Sequence, residues 1–232
     1  MKRNLFLSVM LIVLLALGFV ACDNNGGSGS GSFIGAQLSI SDMPVYNITH
    51  SETGDVTWGA RFTGSGTVQE AGFMDWDAGS FVSVGGVGEI TDGLLTFTIG
   101  IPTQTRTVQQ AFGDMEEVFN NTSISVPNAR VAEINELRTW GSDFGGQLWR
   151  MWGDQEESVT YVYVDRNVTI TGQGRTLTMQ GFTITTRNLN LDLRTGWNAI
   201  TQIQTVNWAT MTVTMSIVPG VPGRTRWGME TW

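Results

Sequence analysis

Cysteine and histidine are almost missing from this chain of 232 residues, which holds only Cys22 and His50. One thiol excludes an intramolecular disulfide, and one imidazole excludes a His-rich zinc site or paired-imidazole catalysis. A Ser-His-Asp arrangement would have to use His50, which is read here as lying in a polar loop between Asn47 and Glu52 with no nucleophile motif nearby. Lysine occurs once, at Lys2. The apolar run from Leu5 to Val20 is too short to cross a bilayer comfortably. The glycine-rich stretch Gly85-Gly86-Val87-Gly88 lacks the strand-to-helix setting and the lysine of a phosphate loop, so it is expected to form bends. No catalytic residue, metal ligand or cofactor is therefore predicted, and the chain is expected not to be an enzyme.

The N-terminus has its own grammar. Lys2 and Arg3 precede the apolar run, and a small residue, Ala21, precedes the thiol. Phe19-Val20-Ala21-Cys22 resembles the lipobox of bacterial lipoproteins, although Phe19 stands where Leu is usual. The resemblance implies a signal peptide over 1–21, cleaved during export, and a Cys22 that carries acyl chains such as palmitate. Two or three chains would hold the protein firmly, where one would bind reversibly. Residues 22–32 form a Gly/Ser-rich tether. Its ten residues from Asp23 to Ser32 contain nothing to bury and span about 17 Å as a coil, or about 35 Å drawn straight. The expected location is the bacterial cell envelope, with the membrane as a partner through the acyl chains, on the outer membrane or the periplasmic face. Cleavage would remove Lys2 and Arg3, leaving 11 Arg against 21 acidic residues and a formal charge of −10. A lysine-free acidic body is a poor partner for nucleic acid.

Residues 33–232 read as one β-rich domain, with two β modules split near residue 106 or 155 as the alternative. Val56, Trp58, Ala60 and Phe62 alternate with polar or small residues, as do Leu95, Phe97, Ile99 and Ile101. Leu189, Leu191 and Leu193 repeat the pattern, and so do Met211, Val213, Met215 and Ile217 against a threonine-rich opposite face. Period-two patterning of this kind predicts antiparallel strands, here arranged as an all-β sandwich or barrel. Asp92-Gly93 predicts a type I′ hairpin, with Gln173-Gly174 and Thr195-Gly196 as weaker versions; a phase slip at Gly181 predicts a bulge or tight turn. A short helical insertion is expected over about 107–141. Its first helix carries the stripe Val108, Ala111, Phe112, Met115, Val118 and Phe119. Its second would start after Ser125, with Pro127 in the first turn, and run through Val131, Ile134 and Leu137 to Gly141.

The segment Tyr161-Val162-Tyr163-Val164-Asp165-Arg166-Asn167-Val168-Thr169-Ile170-Thr171-Gly172 leads on to Leu189-Asn190-Leu191-Asp192-Leu193-Arg194-Thr195-Gly196-Trp197-Asn198. It resembles the C-terminal part of uncharacterised bacterial lipoproteins. There a similar strand precedes a Gly-Trp-Asn turn, and the motif is structural. Trp197 is expected to lid a core edge and Asn198 to bond turn backbone, with a ligand role as the sharper alternative.

Nine tryptophans make aromatic content the best hint of binding. Trp149 and Trp152, with Arg150 and Asp154 beside them, could form a platform for a carbohydrate, peptidoglycan or protein ligand, or could fill the core. On a helix the two rings would share a face, whereas on a strand they would point apart. Asp75 and Asp77 flank Trp76 and would share a strand face, which leaves a carboxylate-based hydrolase or a calcium site as a further alternative. The function expected is a non-catalytic binding or structural one.

Overall fold

The computed structural model describes residues 33–50, 56–75, 79–142, 144–153, 157–179 and 181–231. Cys22, the tether, Asp77 and Asp154 lie outside them. The protein is all-β with a short helical insertion.

Seven strands close into a barrel. They are β2 (Leu38–His50), β4 (Gly66–Asp75), β6 (Val87–Thr91), β7 (Leu94–Ile99), β11 (Glu136–Gly141), β12 (Gly145–Trp152) and β20 (Arg226–Thr231). Around the wall the order is β4-β6-β7-β2-β20-β12-β11 and back to β4. The β2–β20 pair is parallel and the other six are antiparallel. Leu38, Val45, Leu95, Phe97, Leu137, Leu148, Trp227 and Met229 face the interior and are buried. Two strands lie beside the wall: β3 (Val56–Arg61) pairs with β2, and β5 (Ser80–Ser83) with β4.

The second layer grows out of β12. A hairpin leads to β13 (Glu157–Val164), which pairs with β10 (Arg130–Ile134) and β18 (Gly196–Asn207). Beyond β18 come β19 (Thr212–Pro219), β16 (Phe182–Thr186) and β15 (Thr176–Met179). Beyond β10 comes β8 (Arg106–Thr107), and β1 (Phe33–Gly35) sits on the start of β18. A three-stranded sheet of β9 (Asn120–Ile124), β14 (Val168–Gln173) and β17 (Leu189–Leu193) supplies Ile170, Leu189, Leu191 and Leu193 to a second core. Strands β13 and β18 therefore bury both faces. Val159, Tyr161 and Ala199 join the barrel core, while Val162, Val164 and Ile200 join the second one.

The first expected helix forms but is short: α1 (Val108–Phe112) passes into a 3₁₀ segment (Gly113–Glu117) at Gly113. Thr107 and Gln110 make a reciprocal capping box at its start. Val108, Phe112, Met115, Val118 and Phe119 all enter the second core, so the stripe is a packing face.

The second expected helix is not there. Its residues form β10 and β11, separated by Asn135, whose N–H bonds the carbonyl of Gly72 at 3.0 Å. The break resets the strand's parity. Val131 faces the second core while Ile134 and Leu137 face the barrel, so a helical three-residue spacing arises from two strands aimed at two cores. Burial on both sides of β10 also removes the polar alternation that would have revealed a strand.

Turn expectations divide in the same way. Asp92 (φ 50°) and Gly93 (φ 73°) make the expected two-residue hairpin between β6 and β7. Gly181 (φ 88°) makes the tight turn between β15 and β16. Gly174 and Gly196, by contrast, do not close hairpins. Each carries the chain from one sheet to another, β14 to β15 and β17 to β18.

Candidate binding site at the barrel end

Trp149, Arg150 and Trp152 belong to a strand, β12, so the alternation of side chains aims the two rings apart. Their neighbours differ accordingly. Trp149 packs on the small outer cluster of Ile48, Val56 and Met151, with its ring edge-on to His50 at 5.7 Å. Across the strand from Trp149 is Gly228, where a Cβ would come within 2.8 Å of Ile48 and 3.3 Å of Trp58. That bare backbone makes room for Trp58, whose indole N–H donates to the carbonyl of Gly153 at 3.1 Å. Trp152 instead lies 5.1 Å from the guanidinium of Arg226, which also covers Tyr46 at 5.2 Å. Both rings are half-buried and engaged within the chain.

His50 ends β2 and does not sit in a free polar loop; its Nδ1 lies 3.0 Å from Glu230 Oε2. Trp197 and Asn198 open β18 and are fully buried. The Trp197 indole N–H donates to the carbonyl of Gly100 at 2.7 Å, and the ring meets Tyr163 edge-on. The Asn198 amide donates to the carbonyls of Arg194 and Gly196 at 2.8 and 3.1 Å, and its oxygen accepts from the Arg194 N–H at 3.0 Å. This pair locks the crossing from β17 to β18 and presents no surface. Asp75 ends β4 opposite Ser80.

Arg150 is different. It follows Leu148 on the inward side of β12, at the end of the barrel beside the shared strand β13. Its Nη1 donates to the Tyr161 hydroxyl at 2.9 Å and its Nε to the Thr225 hydroxyl at 3.2 Å. Both acceptors are neutral. Tyr161 is 3% exposed, and burial pushes its phenol pKa up while the Arg150 charge pulls it down. The phenol is therefore protonated at neutral pH and does not neutralise the guanidinium. Among the described residues no carboxylate pairs with Arg150, in contrast to Arg106, Arg138 and Arg224, which hold Glu133, Glu136 and Glu157. Trp227, directly opposite Arg150 on β20, stacks on Tyr161 with centroids 6.4 Å apart. Its buried indole N–H has no acceptor among the described residues.

Arg150 and Tyr161 form the polar end of a pocket of about 240 Å³. Leu38, Ile40, Met43, Ile34 and Val221 supply apolar walls, and Ser39 and Ser41 add hydroxyls. Of these groups sequence reasoning found only Arg150, for its proximity to two tryptophans. Tyr161 comes from β13, Thr225 from just before β20 and Trp227 from its start, and no local pattern marks them. The chain was compared with protein-family models, with curated proteins and with solved structures, and it matches none of them.

Proposed function

We propose that this chain is a bacterial envelope lipoprotein, held to a membrane by acyl chains on Cys22, whose folded part acts by binding and not by chemistry. The sequence of residues 1–32 supports the tether: a basic start, a short apolar run, a small residue before the thiol and a Gly/Ser spacer. One observation carries the binding role. Arg150 stands half-buried in a pocket and, among the described residues, has only neutral partners, so a positive charge meets apolar side chains where a ligand can reach both. A carbohydrate platform on Trp149 and Trp152 draws less support, because the rings engage different partners, Ile48, Val56 and Met151 for the first and Arg226 for the second. The hydrolase alternative rests on Asp75 together with Asp77, which lies outside the described residues.

Two measurements test this reading. The mature protein should partition into detergent with its N-terminus at an acylated Cys22, and Cys22→Ser should yield an uncleaved or released form. A mature N-terminus elsewhere, without lipid, would overturn the tether. A thermal-shift screen of small amphiphiles (anionic, cationic and neutral) should find stabilising ligands, and stabilisation by none would overturn the binding role.

A further inference from the structure

We infer that the Arg150 pocket takes a short aliphatic monocarboxylate, with the carboxylate on the guanidinium and the chain along Leu38, Ile40, Met43 and Val221. The inference rests on the binding role proposed above and names its ligand class.

Charge makes the first argument. A guanidinium has five N–H donors, and Arg150 uses two, toward Tyr161 and Thr225. A partly desolvated cation without a counter-charge is costly, and an anion in the pocket relieves that cost. Those left over include both on Nη2, which makes no hydrogen bond among the described residues. An arginine edge of this kind fits the two oxygens of a carboxylate.

The number of charges makes the second. One cation balances one negative charge. The chain as a whole is acidic, with 21 Asp and Glu against 13 Lys and Arg, which disfavours phosphates and other polyanions.

Shape and size make the third. Five of the nine lining residues, Ile34, Leu38, Ile40, Met43 and Val221, are apolar and give a hydrocarbon chain contact, while Ser39 and Ser41 add hydroxyls. A pocket of about 240 Å³ suits a small ligand, and a six-carbon chain with its carboxylate is a fitting first probe.

The test is calorimetric titration of the full chain at pH 7 with hexanoate, hexanol and hexylamine. Hexanoate should bind, and hexanol and hexylamine should bind roughly ten- to hundred-fold more weakly, the ratio expected for a charge-assisted hydrogen bond. Arg150→Met should erase the preference for hexanoate. Because that change also strips Tyr161 of its donor and could unfold the end of the barrel, two further variants carry the test. Arg150→Lys keeps the charge without the fork and should bind hexanoate several-fold more weakly. Val221→Phe narrows the apolar end and should weaken hexanoate more than butanoate. Hexanol binding as tightly as hexanoate, with Arg150→Lys without effect, would overturn the carboxylate inference and leave the binding role standing. No binding by any hexyl compound, with none of the wider screen binding either, would overturn both.

Discussion

Glu133 offers the sharpest test of the structure through its stability. Its side chain is 1% exposed on β10, and one oxygen accepts from Arg106 Nη2 at 2.6 Å while the other has no partner. Arg106 lies over the Phe73 ring at 4.5 Å, so the pair is walled by apolar surface. Burial pushes the carboxyl up from 4.5 to about 7, and the Arg106 charge and hydrogen bond only partly offset it. The folded state thus holds the Glu133 proton more tightly than the unfolded chain does. The resulting stabilisation is fully present below about pH 4.5 and is lost as pH rises through about 7. A shift from 4.5 to about 7 corresponds to about 3 kcal/mol. In a domain of this size that is a fall of roughly 6–12 °C in melting temperature.

Glu133→Gln removes the titration and keeps the shape. The attraction to Arg106 already enters the net shift, so this variant should keep almost the stability of the wild type near pH 4.5. At pH 8 it should be more stable than the wild type by roughly 1–3 kcal/mol. Arg106→Met should do the reverse, costing about 3–5 kcal/mol at pH 8 and much less at pH 5, because it strands a buried charge. Urea unfolding followed by tryptophan fluorescence from pH 4.5 to 8 reads both. Glu136, also raised by burial, adds a slope of the same sign, and Asp165, lowered chiefly by its bond to Arg166, adds one of opposite sign. The difference between wild type and Glu133→Gln cancels both contributions. An identical pH slope in the two proteins would refute the assignment.

Two further changes probe the sheet crossing. Gly196→Ala should cost at least about 1–3 kcal/mol in chemical unfolding, since Gly196 sits at φ 109° and a Cβ would fall 2.5 Å from the Gly35 carbonyl oxygen. Trp197→Ala should cost about 3–5 kcal/mol, as a fully buried ring is lost and the Gly100 carbonyl loses its donor; the same change at Trp208, which is 51% exposed, should cost under about 1 kcal/mol.

Strands that bury one face were legible from alternation. Leu95, Phe97 and Ile99 enter the barrel core, and Leu189, Leu191 and Leu193 enter the second core, as period two requires. The Asp92-Gly93 turn was equally plain, because only a two-residue loop with both φ positive needs that dipeptide. What escaped were features decided by distant parts of the chain. Barrel closure depends on the last strand, β20, lying parallel to β2, where Val45 meets Trp227. No local pattern announces a contact at that separation. β10 and β11 read as a helix because β10 is buried on both faces, by the second core at Val131 and by the barrel core at Ala132 and Ile134, and the parity resets at Asn135 before Leu137.

The candidate site failed to read for a related reason, and Trp149 and Trp152 turn that reason into a measurement. Sequence proximity groups residues that a strand then separates: the two tryptophans sit about 10 Å apart along β12 and lean on different partners, Ile48 and His50 for one and Arg226 for the other. Arg150, between them, joins instead with Tyr161, Thr225 and Trp227, which no spacing rule could collect. Full truncation of a buried tryptophan costs about 3–5 kcal/mol, so half-buried rings should cost about 2 kcal/mol each. If the rings act independently, the double change Trp149→Ala and Trp152→Ala should cost the sum of the single changes to within about 0.5 kcal/mol. Rings forming one platform would instead couple, and the double change would fall short of the sum by about 1 kcal/mol or more. Hexanoate binding supplies the second readout. It should survive both substitutions nearly unchanged, because the ligand is held by Arg150 and the aliphatic walls behind the strand. A double variant that keeps its fold but loses the ligand would return the site to the aromatic face.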